Sequence, residues 1–139
     1  GPRGGDEINI VKKAKNYGWP VISYGINYDS TIFTEKTHAP EMEQPLYYWV
    51  PSIAPSCFEY LDSEIYDGWE GSLLTGSLSF GYLERLTLDF FGNVNYREKV
   101  ASDIGRVRDV KVSPGGYIFM GVENEGIFKI IPKLDKTIL

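Results

Sequence analysis

One cysteine and one histidine stand among the 139 residues. With Cys57 alone no internal disulfide can form, and the redox compartment stays open. Cys57 lies in an apolar strand pattern, which marks a buried, inert thiol rather than a nucleophile. Basic charge is also scarce: 14 Lys and Arg against 19 Asp and Glu leave a net charge of −5. A duplex-binding surface needs a basic stripe, so nucleic acid is disfavoured as a partner. No apolar run approaches the roughly 18 residues of a membrane helix, and no charged-then-apolar leader opens the chain. The sequence therefore predicts neither a membrane span nor an export signal. An initiator methionine is lacking too, and the opening at Gly1-Pro2 fits a piece of a longer protein or a processed one.

What the chain does have is aromatic side chains, glycine and proline. Ten Tyr, seven Phe and three Trp are spread along its length, and such residues favour a pleated, half-buried surface over a helix. Fifteen Gly and eight Pro cut the chain into short pieces that suit strands and turns. A hydrophobic content of 42% suffices for a packed core. These features predict an all-β protein.

Asp6–Val11 alternates polar and apolar residues, the period-two mark of a strand with one buried face. After the aromatic corner Tyr17-Gly18-Trp19-Pro20, Val21–Tyr24 reads as a second short strand. Gly25–Gln44 is polar and irregular, carries His38, and reads as a long loop. From Pro45 the pattern is regular: Leu46–Trp49, Ser56–Leu61, Ser72–Thr75, Tyr82–Leu88, Tyr96–Val100, Val107–Val112, Tyr117–Val122 and Gly126–Ile131 are strand candidates parted by Gly, Asn, Asp or Pro.

A weak internal repeat organises these strands. Leu73-Leu74-Thr75-Gly76 corresponds to Ile118-Phe119-Met120-Gly121, and Leu83-Glu84-Arg85-Leu86 to Ile127-Phe128-Lys129-Ile130, at a separation of about 45 residues, the length of one four-stranded propeller blade. Ala54–Ala101 is then one complete blade and Arg106–Lys133 the first three strands of the next, while Gly1–Tyr48 belongs to at least one earlier blade. A β-sandwich also shows short strands at regular spacing and stays open as an alternative. Closed propellers need about four to eight blades, so residues 1–139 read as a single partial β-propeller domain of two to three four-stranded antiparallel blades. Its unpaired edges call for further sequence, a partner, or self-association of the half-propeller.

Local motifs sharpen this reading. Gly1-Pro2-Arg3-Gly4-Gly5-Asp6-Glu7-Ile8-Asn9 followed by Asn16-Tyr17-Gly18-Trp19-Pro20 resembles a paired signature of the soluble quinoprotein aldose dehydrogenases, the glucose/sorbosone dehydrogenase family. The likeness continues in order through Trp49–Ser56, Gly68–Leu74, Gly76-Ser77-Leu78 and Gly105–Val110. It implies the C-terminal part of a six-bladed propeller that holds pyrroloquinoline quinone and calcium and oxidises aldose sugars at the anomeric carbon. The missing part would then lie N-terminal to Gly1. The resemblance also implies a periplasmic or secreted location and an electron acceptor such as a cytochrome c or a quinone.

Arg106 and Arg108 stand two apart, so on a strand both side chains face one way and can present two guanidinium forks to one polyanion. They match the family's cofactor-clamping arginines, and the quinone's three carboxylates suit such forks. The alternative for this pair is an exposed, salt-bridged strand end with Asp109 as partner. Gly1 and Pro2 match the loop whose carbonyls hold the active-site calcium, an ion that takes oxygen ligands. Glu7 and Tyr17 match a second, structural calcium site of some members, with an ordinary strand-end carboxylate as the alternative. Trp49, with Tyr47 nearby, matches the aromatic position against cofactor and sugar, whereas Trp19 and Trp69 read as structural corner residues.

Two departures stand out. Ser79 replaces a lysine that contacts the cofactor in several members, and a hydroxyl supplies one hydrogen bond but no charge. The catalytic base of the family is a histidine upstream of the Gly-Pro motif. Nothing in this chain matches it, and His38 lacks a carboxylate pattern that would orient it. The chain alone is thus expected to be inactive. A non-catalytic propeller that binds a protein or a polysaccharide is the rival expectation.

Overall fold

The computed structural model describes residues 3–133. They gather into two compact units, one running to Pro55 and the other beginning at Ser56. All regular structure among the described residues is β, and no helix there is long and apolar enough to cross a membrane.

The first unit is mostly turns and loops around one short antiparallel pair, β1 (Asp6–Ile8) and β2 (Tyr47–Trp49). Their register sets Asp6 opposite Trp49, Glu7 opposite Tyr48 and Ile8 opposite Tyr47. The buried Asp6 carboxylate accepts hydrogen bonds from Ser52 Oγ at 2.6 Å and Ile53 N at 3.0 Å, which ties down the loop that follows β2. β1 ends earlier than its alternation suggests. Ile10 and Val11 are exposed, and the carbonyl of Ile10 is taken by the Tyr17 hydroxyl at 2.8 Å. The strand expected at Val21–Tyr24 is a turn. Val21 N and Ile22 N both donate to the carbonyl of Gly18, at 2.7 and 3.0 Å, which folds the segment back on itself. Ile22 packs so closely there that a Cβ at Gly18 would fall 2.0 Å from it. Gly25–Gln44 is irregular, as its polarity implies.

The second unit holds a four-stranded sheet, β3 (Pro55–Leu61), β4 (Ser72–Ser77), β5 (Tyr82–Leu88) and β6 (Val94–Ala101). A three-stranded sheet follows, β7 (Val107–Val112), β8 (Ile118–Val122) and β9 (Gly126–Lys129). In each the strands are neighbours in chain order. This is the meander of a propeller blade, not the crossed connections of a sandwich. The repeat proves structural: Leu73–Gly76 and Ile118–Gly121 lie in the second strands of their sheets. Leu83–Leu86 lies in the third strand of the first sheet, and Ile127–Lys129 in that of the second.

β4 is buried at all six positions, as a central strand covered on both faces must be. One core joins the two sheets, with Leu61, Leu74 and Leu83 from the first and Val107, Val110, Ile118, Met120 and Val122 from the second. Tyr66, in the β3–β4 connection, stitches across this core: its hydroxyl accepts from Ile118 N at 2.8 Å and donates to Ile130 O at 2.9 Å. At the inner edge, Ser56 Oγ donates to the Val107 carbonyl at 2.5 Å. Gly76 lets the strands close there, since a Cβ on it would meet Val107 Cγ1 at 2.7 Å and Cys57 Sγ at 2.9 Å.

Candidate anion-binding site

The β6–β7 connection sets up this site. Gly105 has φ +96° and Gly81, in the β4–β5 turn, has φ +62°. A Cβ on Gly81 would lie 2.9 Å from the Gly105 carbonyl oxygen, so the two backbones touch. Ile104 N donates to Gly81 O at 3.3 Å across the same approach. Arg106 therefore enters β7 beside the turn that carries Ser79.

From there the strand does not alternate simply. The β7–β8 register shifts between Val107 and Asp109, with Val107 opposite Val122 and Asp109 opposite Gly121. Val107 and Val110 are both buried, three residues apart, while Arg108 and Asp109 are exposed. A bulge of this kind re-aims a side chain. Here both guanidiniums reach the same carboxylate: Arg106 Nε lies 2.8 Å from Glu123 Oε2 and Arg108 Nη2 lies 2.8 Å from Glu123 Oε1. Glu123 is itself fixed by its backbone, whose N–H donates to the Arg106 carbonyl at 2.9 Å.

The hydrogen bond from Arg108 holds the Glu123 carboxyl below its ordinary range, and the charges of both arginines add to the effect. Both arginine side chains remain about half exposed, at 53% and 49%. A guanidinium carries five N–H donors, and Glu123 engages one nitrogen of each. The site can thus accept a further carboxylate or similar anion. The alternative of an exposed, salt-bridged strand end thus has its ion pairs, but to Glu123 and not to Asp109, whose Oδ1 accepts from Val110 N at 2.9 Å. Sequence reasoning missed Glu123. Its signal was positional, because it directly follows the strand that the repeat aligns across from β7.

Ser79 is exposed in the β4–β5 turn, which is braced by Ser77 Oγ accepting from Phe80 N at 3.0 Å. The other expected site residues belong to the first unit. Trp49 is 2% exposed and packs edge-on against Tyr47, centroids 4.9 Å apart. The exposed aromatic of that strand is Tyr48, stacked on Tyr24 at 3.7 Å. Glu7 Oε2 accepts from Asn9 Nδ2 at 3.1 Å. The Tyr17 hydroxyl is occupied twice, donating to Ile10 O and accepting from Lys12 N at 2.7 Å. Gly1 and Pro2 lie outside the described residues. Among the described residues no group of three or more His, Cys, Asp or Glu could hold a metal; a calcium site built on carbonyls needs no such group. His38 is held at Nδ1 by Thr37 Oγ1 at 2.9 Å, and the nearest ring is that of Tyr24, edge-on at 6.3 Å.

Comparison with known proteins places this architecture. The chain is similar to the aldose sugar dehydrogenase YliI of Escherichia coli, 34% identical over 139 residues, covering 96% of this chain and 37% of that protein. It is also similar to the quinoprotein glucose dehydrogenase B of Acinetobacter calcoaceticus, 25% identical over 172 residues, covering 85% of this chain and 36% of that one. A crystal structure of a glucose dehydrogenase superposes with a TM-score of 0.85 at 38% identity, covering 93% of this chain and 38% of its own. The chain thus spans little more than a third of the length of these relatives. The glucose/sorbosone dehydrogenase profile matches residues 1–130, and with the two meander sheets and their collinear motifs this makes the chain a member of that family.

Proposed function

We propose that the protein to which this chain belongs is a quinone-dependent aldose dehydrogenase and that residues 1–139 form one partial propeller domain carrying its cofactor clamp. The observation behind this is the convergence of Arg106 and Arg108 on a single carboxylate, 2.8 Å from each. Bidentate and charge-assisted contacts of this kind suit a planar polycarboxylate. The donor set therefore fits pyrroloquinoline quinone: two half-exposed guanidiniums with N–H groups to spare, beside a turn that offers the Ser79 hydroxyl. A relative named as a quinoprotein supports the same reading.

In this scheme Arg106 and Arg108 bind and orient the carboxylates, and Ser79 adds one hydrogen bond. The carbonyls of Gly1 and Pro2 would hold calcium, and Glu7 and Tyr17 would serve a second, structural calcium. Trp49, buried against Tyr47, is the aromatic that the family resemblance would set against cofactor and sugar. When bound, the quinone with its calcium supplies a two-electron acceptor for an aldose oxidised at the anomeric carbon. The proton of the anomeric hydroxyl needs a base, and no residue of this chain is assigned that role. An acceptor such as a cytochrome c or a quinone would take the electrons, in a periplasmic or secreted setting.

Reconstitution tests the reading. The full-length protein is incubated with pyrroloquinoline quinone and calcium, and dye reduction is followed with a panel of aldoses. Reduction with at least one sugar is expected, and none with any would overturn it. Removal of both guanidiniums in R106A/R108A is expected to abolish quinone binding, read by quenching of tryptophan fluorescence.

Ser79 favours a second reading, a non-catalytic propeller that binds a protein or polysaccharide, because a hydroxyl cannot replace a lysine's charge. Quinone binding without any dye reduction would favour it.

A further inference from the structure

Glu123 is given no role of its own in the scheme above, yet it is held at both its main chain and its side chain. Its N–H bonds the carbonyl of Arg106, so its own main chain is tied to the strand it serves. Its side chain then spans the pair, one oxygen to each guanidinium, at 2.8 Å both times.

Two arginines two positions apart repel, and each long side chain loses considerable rotamer freedom when it is held still. Binding that must order both at once is weakened by that cost, and a partner that orders them beforehand removes it. We propose that Glu123 is the positioning residue of this site, holding Arg106 and Arg108 as one preformed fork whose remaining N–H groups receive the carboxylates of a polyanionic ligand. The proposal rests on the reading of the two arginines as ligand-binding residues. The opposing effect is the like charge that Glu123 brings near an incoming carboxylate. Attraction and repulsion alike act across a half-exposed, solvent-screened surface where charge interactions are small, and the binding measurement below reads which of the two is larger.

The test uses the full-length protein with pyrroloquinoline quinone and calcium, the dissociation constant being read by tryptophan fluorescence. Wild type is compared with E123Q, E123D and R106A/R108A. E123Q is expected to bind roughly two- to tenfold more weakly, with E123D recovering part of the loss because it restores the carboxylate. Nitrogen NMR of the guanidinium Nε–H groups is expected to show Arg106 and Arg108 ordered in wild type and mobile in E123Q, with the thermal midpoint near that of wild type. Unchanged or tighter quinone binding by E123Q, while R106A/R108A binds poorly, would overturn the role of Glu123 and leave the arginines standing. Unchanged binding by R106A/R108A would overturn the underlying reading itself. Weak binding by E123Q together with loss of near-ultraviolet circular dichroism would make Glu123 a structural residue and also overturn the proposal.

Discussion

Cys57 lies on β3, partly buried against the core shared by the two sheets, and burial pushes its thiol pKa up, only partly offset by neighbouring hydrogen-bonding groups. The thiolate is the reactive form. Native protein is therefore expected to react with a disulfide reagent much more slowly than unfolded protein at pH 8; equal rates would refute the burial argument. Glu123 is the opposite case, with its carboxyl held down by Arg108 first and then by Arg106. A depressed folded-state pKa means that the arginine–carboxylate contribution is present above the ordinary carboxylate range and is lost as pH falls through the folded value. The carboxyl carbon of Glu123 should accordingly titrate below that of a free glutamate, and R108A should bring it back up. A titration at the ordinary position in wild type would contradict the 2.8 Å contacts.

Strands and turns obey packing as much as pattern. Gly76 sits where β4 meets β7, and a methyl there would overlap Val107 and Cys57. G76A is expected to cost about 1–3 kcal/mol, the usual range for overpacking, measured as a lowered urea midpoint with unchanged slope. G81A adds a positive φ to a clash with the backbone of Gly105, so it should destabilise at least as much and also weaken quinone binding by displacing Arg106. The strands of the second unit were legible because short apolar runs parted by turn residues coincide with the repeat, even though β4 is buried at every position and β9 exposed at every one. Val21–Tyr24 was not: its β-branched composition suggests a strand, but two backbone donors share the Gly18 carbonyl. The bulge after Val107 was hidden too. Spacing alone put Arg106 and Arg108 on one face, and they do share a partner, but through a register shift that leaves Asp109 bonded to its own neighbour.

For the molecule as a whole, the family and the blade meander could be read from residues 1–130, since collinear motifs and a blade-length repeat are long-range signals. The partner of the arginines could not, because it depends on which side chains two separate turns bring together. Histidine chemistry is expected to be missing from the 139-residue chain itself: with His38 bonded to Thr37, no dye reduction should follow when the chain alone is mixed with quinone, calcium and any aldose. Among the described residues β9 is exposed at all four positions and is the last strand of its sheet. Such an edge seeks a partner, so the isolated chain is expected to sediment near twice its 15.7 kDa; a monomeric mass at all concentrations would exclude this.

The β5–β6 hairpin bears on how such a protein is handled. Antiparallel pairing puts its tip, with the exposed Phe90 and Phe91, at the opposite end of β5 from the turn that carries Ser79. The seven residues of β5 set the two ends roughly 20 Å apart. A thiol introduced by Phe91→Cys would outcompete the half-buried Cys57 for a maleimide linker. Tethered to an electrode through that hairpin, this part of the protein would keep its arginine end clear of the metal.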